Sequence, residues 1–230
     1  MAFRTRLKQF LIRSGAHVST GALIHLDSVV THMELGRWFR DHQMDYRRAP
    51  QYARRNQLYS ALAAPHAQAN VLYLEFGVYQ GASMRVWSKL LQNPASSLHG
   101  FDSFEGIPDA WGTAPAGTYT TQGVVPEFTD GRVVLHEGWF DATLPAFELP
   151  EHDQLIVNLD ADIYSSTIFV LDTIADAITP GTILIFDEFN DRAHELKAFR
   201  EFLDRHPEMQ FRVAGVAWNG VMHCAFERER

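Results

Sequence analysis

The chain has 230 residues and a mass of 26.1 kDa, is 46% hydrophobic and 21% charged, and carries 20 basic against 28 acidic residues. This composition excludes disorder and collagen-like repeats, and the length suits one large α/β domain. A net charge of −8 argues against nucleic acid as a partner, because a phosphate-backbone binder needs clustered Lys and Arg.

The single cysteine, Cys224, rules out an intrachain disulfide and a Cys-rich metal site, so a reducing cytoplasm is the expected location. No apolar run approaches the roughly 18 residues that a membrane span requires. Residues 1–26 hold Arg4, Arg6, Lys8 and Arg13 with no acid, and Phe3, Leu7, Phe10 and Leu11 share one face of a helix. Such a helix caps the domain or a partner subunit; an Arg-rich transit peptide or a surface anchor is the alternative reading. Residues 29–66 lean helical, with Met33, Trp38, Phe39, Leu58 and Tyr59 scattered among charges, and suit a lid or a dimer surface. Residues 1–66 are therefore expected to form a helical extension to a domain that spans 67–230.

From residue 71 the pattern becomes regular. Val71–Phe76 reads as a buried strand, Gly77 to Gly81 as a turn, and Met84, Trp87, Leu90 and Leu91 as the inner face of a helix. A second strand over Ser97–Phe101 ends at Asp102, a third over Arg132–His136 ends before Gly138, and a fourth over Gln154–Leu159 ends at Asp160. A helix capped by Ser165 or Ser166 follows, and Pro180-Gly181 stops it. The fifth strand, Thr182–Phe186, runs into Asp187-Glu188, and a helix with Leu196, Phe199 and Leu203 on one side comes next. Phe211–Val216 and Val221–Phe226 flank Asn219-Gly220, a hairpin signal that makes the last strand antiparallel. The expected fold is a Rossmann-like, doubly wound α/β sheet of seven strands, with ligands in the crevice beyond the strand C-terminal ends.

Acids and glycines gather at those ends. Glycines in Glu75-Phe76-Gly77-Val78-Tyr79-Gln80-Gly81-Ala82-Ser83 let backbone approach a ligand closely, although the segment lacks the three-glycine dinucleotide fingerprint and serves equally as a tight turn. Asp102, followed by Ser103 and Phe104, is placed to accept from ribose hydroxyls or to close an Asx turn. Glu137-Gly138-Trp139-Phe140 offers an aromatic turn that stacks an adenine or packs on the sheet. Asp160, Asp162, Asp187 and Glu188 crowd two adjacent strand ends, a cost that a hard cation such as Mg²⁺ offsets; N-capping is the alternative use of these acids. Asp160-Ala161-Asp162 also reads as the DxD pair of a metal-dependent glycosyltransferase, and a non-catalytic binding protein on the same fold is a third reading. His99, His136, His194, His206 and His223 read as packed or surface residues, and the sequence holds no G-x-S-x-G elbow, P-loop, H-E-x-x-H or EF-hand loop.

In this order, the segments at Glu75–Ser83, Asp102-Ser-Phe-Glu-Gly-Ile-Pro108, Gly138–Phe140, Asp160-x-Asp-x-Tyr-x-Ser-Thr167 and Pro180-Gly181 through Asp187-Glu188 resemble the class I S-adenosylmethionine-dependent methyltransferases of the macrocin O-methyltransferase type. The resemblance covers about residues 70 to 226. It implies that Glu75, Gly77, Gly81 and Ser83 hold the methionine part of the cofactor, that Asp102 holds its ribose, and that Ser103, Phe104, Gly138, Trp139, Phe140 and Asp160 complete the cofactor site. It also implies Mg²⁺ on Asp160, Asp187 and Glu188. Asp160 and Asp162 are the candidate catalytic residues, with Asp162 read as the general base or equally as a ligand or orienting residue. The acceptor implied is a hydroxyl of a small molecule, such as a sugar or glycosylated natural product, and a homodimer is an expected assembly. The sequence departs from the family at Glu188 and Phe189, where Asp-Asp-Tyr is more usual.

Overall fold

The computed structural model describes residues 2–15, 17–218 and 222–230. The chain divides into two compact units, one ending at His42 and one running from Gln43 to Arg230. The first holds α1 (Ala2–Gly15) and α2 (Thr20–Asp41). Ser19 caps α2, its Oγ accepting the Ala22 N–H at 3.2 Å. No helix among the described residues is long and apolar enough to cross a membrane.

The second unit contains β1 (Gln51–Tyr52), α3 (Arg55–Ala63), β2 (Val71–Phe76), α4 (Ala82–Leu90), β3 (Ser97–Asp102) and β4 (Val133–Glu137). It continues with α5 (Phe140–Thr143), β5 (Gln154–Leu159), α6 (Tyr164–Thr173), β6 (Ile183–Phe186), α7 (Glu195–Arg205), β7 (Phe211–Trp218) and β8 (Met222–Arg228). One sheet takes all the strands in the order β1-β7-β8-β6-β5-β2-β3-β4. β8 runs antiparallel to both β6 and β7, as expected for the last strand, and the other pairings are parallel. The sheet has eight strands rather than the expected seven. The extra one, β1, is two residues long and pairs Gln51 with Val216 and Tyr52 with Ala217. β1 and α3 precede residue 67 and belong to the second unit. The expected Asn219-Gly220 turn lies outside the described residues.

Strand residues alternate between two apolar layers, as the period of two dictates. Val71 and Tyr73 pack with Leu58 and Tyr59 of α3 and Met84 and Trp87 of α4. Trp87 stacks on Tyr73 with ring centroids 4.8 Å apart, and full burial of such a side chain is worth about 2 to 3 kcal/mol. On the other face Phe186 meets Phe199 of α7 at 4.9 Å and Phe226 of β8 at 5.9 Å.

Register aligns the strand ends. Phe76 pairs with Phe101 and with Leu159, and Leu159 pairs with Phe186. The residue after each strand continues the ladder: Gly77 N–H donates to Phe101 O, Asp160 N–H to Phe76 O, and Asp187 N–H to Leu159 O. Gly77, Asp102, Asp160 and Asp187 are thereby fixed along one edge, where connections from β2 and β5 leave in opposite directions, the place an open α/β sheet leaves a crevice. α6 starts at Tyr164 with Ile163 as its cap, earlier than expected from Ser165 or Ser166, and neither serine side chain caps it.

Candidate active site

The crevice is a cavity of about 700 Å³. Its wall includes Gly77, Ser83, Asp102, Ser103, Trp139, Phe140, Asp160, Asp162, Asp187 and Glu188, all expected site residues. Glu75, Gly81, Phe104 and Gly138, also expected there, do not line it.

The β2–α4 turn is shaped by what Gly77 meets. Its φ is +93°, and a Cβ there would lie 1.8 Å from the Asp160 carbonyl oxygen, so only glycine allows the ends of β2 and β5 to close. Gly81 is left-handed at φ +74° and starts α4 without a side-chain cap. Asp102 pins this turn to the end of β3: its Oδ2 accepts the N–H groups of Val78 at 2.8 Å and Tyr79 at 2.7 Å, and its Oδ1 accepts that of Phe104 at 2.7 Å. Phe104 is buried at a φ of +60°. Trp139 stays 38% exposed at the mouth, whereas Phe140 meets Phe76 edge-on at 5.5 Å.

Glu75 is fully buried on β2, and both its oxygens are engaged, accepting from Tyr73 Oη at 2.5 Å and Ser83 Oγ at 2.8 Å. Burial dominates these two hydrogen bonds and pushes its carboxyl up to about 7.

Asp160, Asp187 and Glu188 each offer an oxygen within 4.8 Å of the others. Arg55 of α3 enters this group: its Nη1 donates to both oxygens of Asp187 at 3.1 Å and lies 3.7 Å from Asp160 Oδ2. His223 Nδ1 is 2.8 Å from Asp187 Oδ1. Burial works against the Asp187 carboxylate, but His223 and Arg55 outweigh it and hold its carboxyl below the usual range. The neighbours go the other way. Burial, then the charges of Asp187 and Asp162, push Glu188 up to about 9; burial, then Asp187 and Asp102, push Asp162 up to about 7. Asp160 is also driven upward, by burial and then by Asp187 and Glu188. Asp162 sits at a φ of +59°, an uncommon conformation for a residue other than glycine.

Sequence reasoning did not find Arg55, His223 or Glu195. Glu195, at the start of α7, is fully buried and accepts the Glu188 N–H at 2.9 Å, which orients the chain leaving β6. His99 and His136 form their own pair at 3.0 Å on β3 and β4, and His194 accepts the Tyr164 N–H at 3.1 Å, so these three are structural as expected.

The donor chemistry suits a hard divalent ion. Three clustered carboxylates share one guanidinium, and Glu188 Oε2 is buried with no hydrogen-bond partner among the described residues. The cavity, with aromatic and apolar walls and a few fixed polar groups, has the size of a small-ligand or cofactor site.

The methyltransferase domain family matches residues 74–189, just over half of the chain. The 8-demethyl-8-(2,3-dimethoxy-alpha-L-rhamnosyl)-tetracenomycin-C 4'-O-methyltransferase of Streptomyces olivaceus is 26% identical over 171 residues, a match covering 63% of this chain and 64% of that relative's length. Among solved structures, the O-methyltransferase NovP superposes with a TM-score of 0.55 at 21% identity, over 76% of this chain and 78% of that one. CalS11, described as a TDP-rhamnose 3'-O-methyltransferase, superposes with a TM-score of 0.51 at 20% identity, over 96% of this chain and 86% of its own. At these identities the structural likeness is one of fold. The family match runs from inside β2 to just past β6 and so takes in the strand ends that build the cavity: the chain belongs to the S-adenosylmethionine-dependent methyltransferase family.

Proposed function

We propose that the chain is an O-methyltransferase that moves the methyl group of S-adenosylmethionine to a hydroxyl of a small molecule, a sugar or a glycosylated natural product, with the help of Mg²⁺. The observation that carries this reading is the cluster of Asp160, Asp187 and Glu188 on the wall of the same cavity that the glycine turn and Asp102 shape. The names of the curated relative and of CalS11, both rhamnose O-methyltransferases, point to the same acceptor class.

The cofactor supplies an activated methyl, and a bound Mg²⁺ supplies Lewis acidity that lowers the pKa of a hydroxyl. The chain has to place the acceptor oxygen in line and take its proton. Gly77, Ser83, Asp102 and Ser103 form the polar wall for the amino acid and ribose ends of the cofactor, and Trp139 and Phe140 the aromatic wall for its base. Glu75, Gly81, Phe104 and Gly138 act from outside the lining; Glu75 orients Ser83. Asp160, Asp187 and Glu188 would hold the ion. Asp162, held near 7, is matched to accept a proton at neutral pH, and Asp160 flanks it at the reacting end.

Methyl transfer from S-adenosylmethionine to rhamnosylated acceptors, measured with Asp187→Ala, tests the reading. Turnover is expected to vanish while S-adenosylhomocysteine affinity stays within a few-fold of wild type, about 1 kcal/mol. Unchanged turnover would remove the metal from the mechanism.

A further inference from the structure

We infer that the N-terminal unit docks on an anionic membrane surface through α1. The helix leaves Leu7, Phe10, Leu11 and Ile12 between 46% and 76% exposed. Leu7, Phe10 and Leu11 fall at spacings of three and four and form one stripe, an arc of about 100° on a regular helix. Arg4 and Lys8 border the stripe on one side, Arg6 and Arg13 on the other, and all four are exposed. Thr5, Gln9 and Ile12 lie outside the stripe, on the opposite side of the helix. A narrow apolar stripe edged on both sides by long cationic side chains is the arrangement of an interfacial helix. The apolar face enters the acyl boundary while the stems of Arg and Lys lie along it and carry their charges to the headgroups.

Charge distribution selects the occupant. Through residue 42 the chain carries six basic and three acidic side chains, whereas the remainder carries 14 basic and 25 acidic. The apolar surface is thus concentrated on the one net-positive part of an acidic protein. A like pairing of two α1 helices would set four cations against four, and α1 holds no acid to relieve them. An anionic bilayer relieves all of them, since each cation held near its surface is attracted by the negative surface potential. Up to Met33, α2 adds Leu23, Ile24, Leu26, Val29, Val30 and Met33, each at least 45% exposed, and only one acid before Glu34. With no helix of membrane-spanning character among the described residues, the association is peripheral and reversible.

Co-sedimentation of the full chain with vesicles of phosphatidylglycerol and phosphatidylcholine, against phosphatidylcholine alone, tests the inference. Binding is expected to the anionic vesicles, to weaken as salt is raised, and to fall at least about tenfold in two separate variants. One is Leu7→Gln with Phe10→Gln and Leu11→Gln; the other changes Arg4, Arg6, Lys8 and Arg13 to Gln. S-adenosylhomocysteine affinity, measured in parallel, is expected to be unchanged in both and reports that the cavity is intact. Equal sedimentation with and without phosphatidylglycerol, or vesicle binding that survives the charge substitutions, would overturn it. So would a chain that ignores vesicles but sediments as a dimer that the Leu7, Phe10 and Leu11 substitutions dissociate, since a second copy then covers the stripe.

Discussion

Arg55 and Asp187 set the electrostatics of the cavity's acidic end. Asp187 stays ionised inside the fold because His223 and Arg55 together outweigh its burial, and burial, followed by the charge of Asp187, pushes Glu188, Asp162 and Asp160 toward protonation. Each acid therefore has a different proton affinity at neutral pH, which is how one cluster can hold a cation and also accept a proton. Glu75 provides a separate, testable titration. Its carboxyl rises from an ordinary 4.5 to about 7, so the folded chain binds more protons than the unfolded one between those values. The stabilisation is present in full below about 4.5 and is lost as the pH rises through about 7, a change of about 3 kcal/mol. Relative to Glu75→Gln, wild type should lose that much in urea unfolding between pH 4.5 and pH 8; parallel profiles would refute the assignment. Asp102, Asp160, Asp187 and Glu188 were legible in the sequence because each lies at, or within two residues of, the end of a buried strand. Arg55 was not, because its partner lies 132 residues away and nothing in the local pattern distinguishes it from the neighbouring Arg54. Nor was His223, since only the antiparallel placement of β8 brings it to Asp187.

At the scale of elements, the β2–α4 turn decides whether the cavity exists. Gly77 combines a φ of +93° with a Cβ direction blocked by the Asp160 carbonyl, so Gly77→Ala should cost about 3 kcal/mol or more in chemical denaturation. Gly131→Ala, where no atom lies within 4 Å, is expected to stay within about 1 kcal/mol of wild type. Similar losses for the two would show that the turn is not under the constraint described. The long strands were readable from continuous apolar runs, as β2 and β5 are buried at every position. β1 was not, because two residues carry no periodicity and its pairing with β7 is a tertiary event. The start of α6 was misplaced for a related reason. Serines at 165 and 166 look like caps, but the turn through Asp162 brings the chain into helix at Tyr164.

For the whole molecule, strand order and register do the assembling. Five parallel strands put their C-terminal ends on one edge, and the change of direction between β2 and β5 opens the crevice there. This much followed from alternating strands and helices, and the fold agrees with it apart from the added edge strand β1. The acceptor was less legible, since no motif at the strand ends distinguishes one hydroxyl-bearing molecule from another. Membership of the methyltransferase family also favours the methyl-transfer reading over the nucleotide-sugar reading of Asp160-Ala161-Asp162. The central claim is that the cavity between the glycine turn, Asp102 and the acid cluster is a site for S-adenosylmethionine. The most direct measurement is calorimetric titration of the full chain with S-adenosylhomocysteine, the product that cofactor leaves behind. The account predicts saturable one-site binding with a Kd on the order of 10 µM or tighter, about −7 kcal/mol. Absence of saturable binding to the folded chain would contradict it.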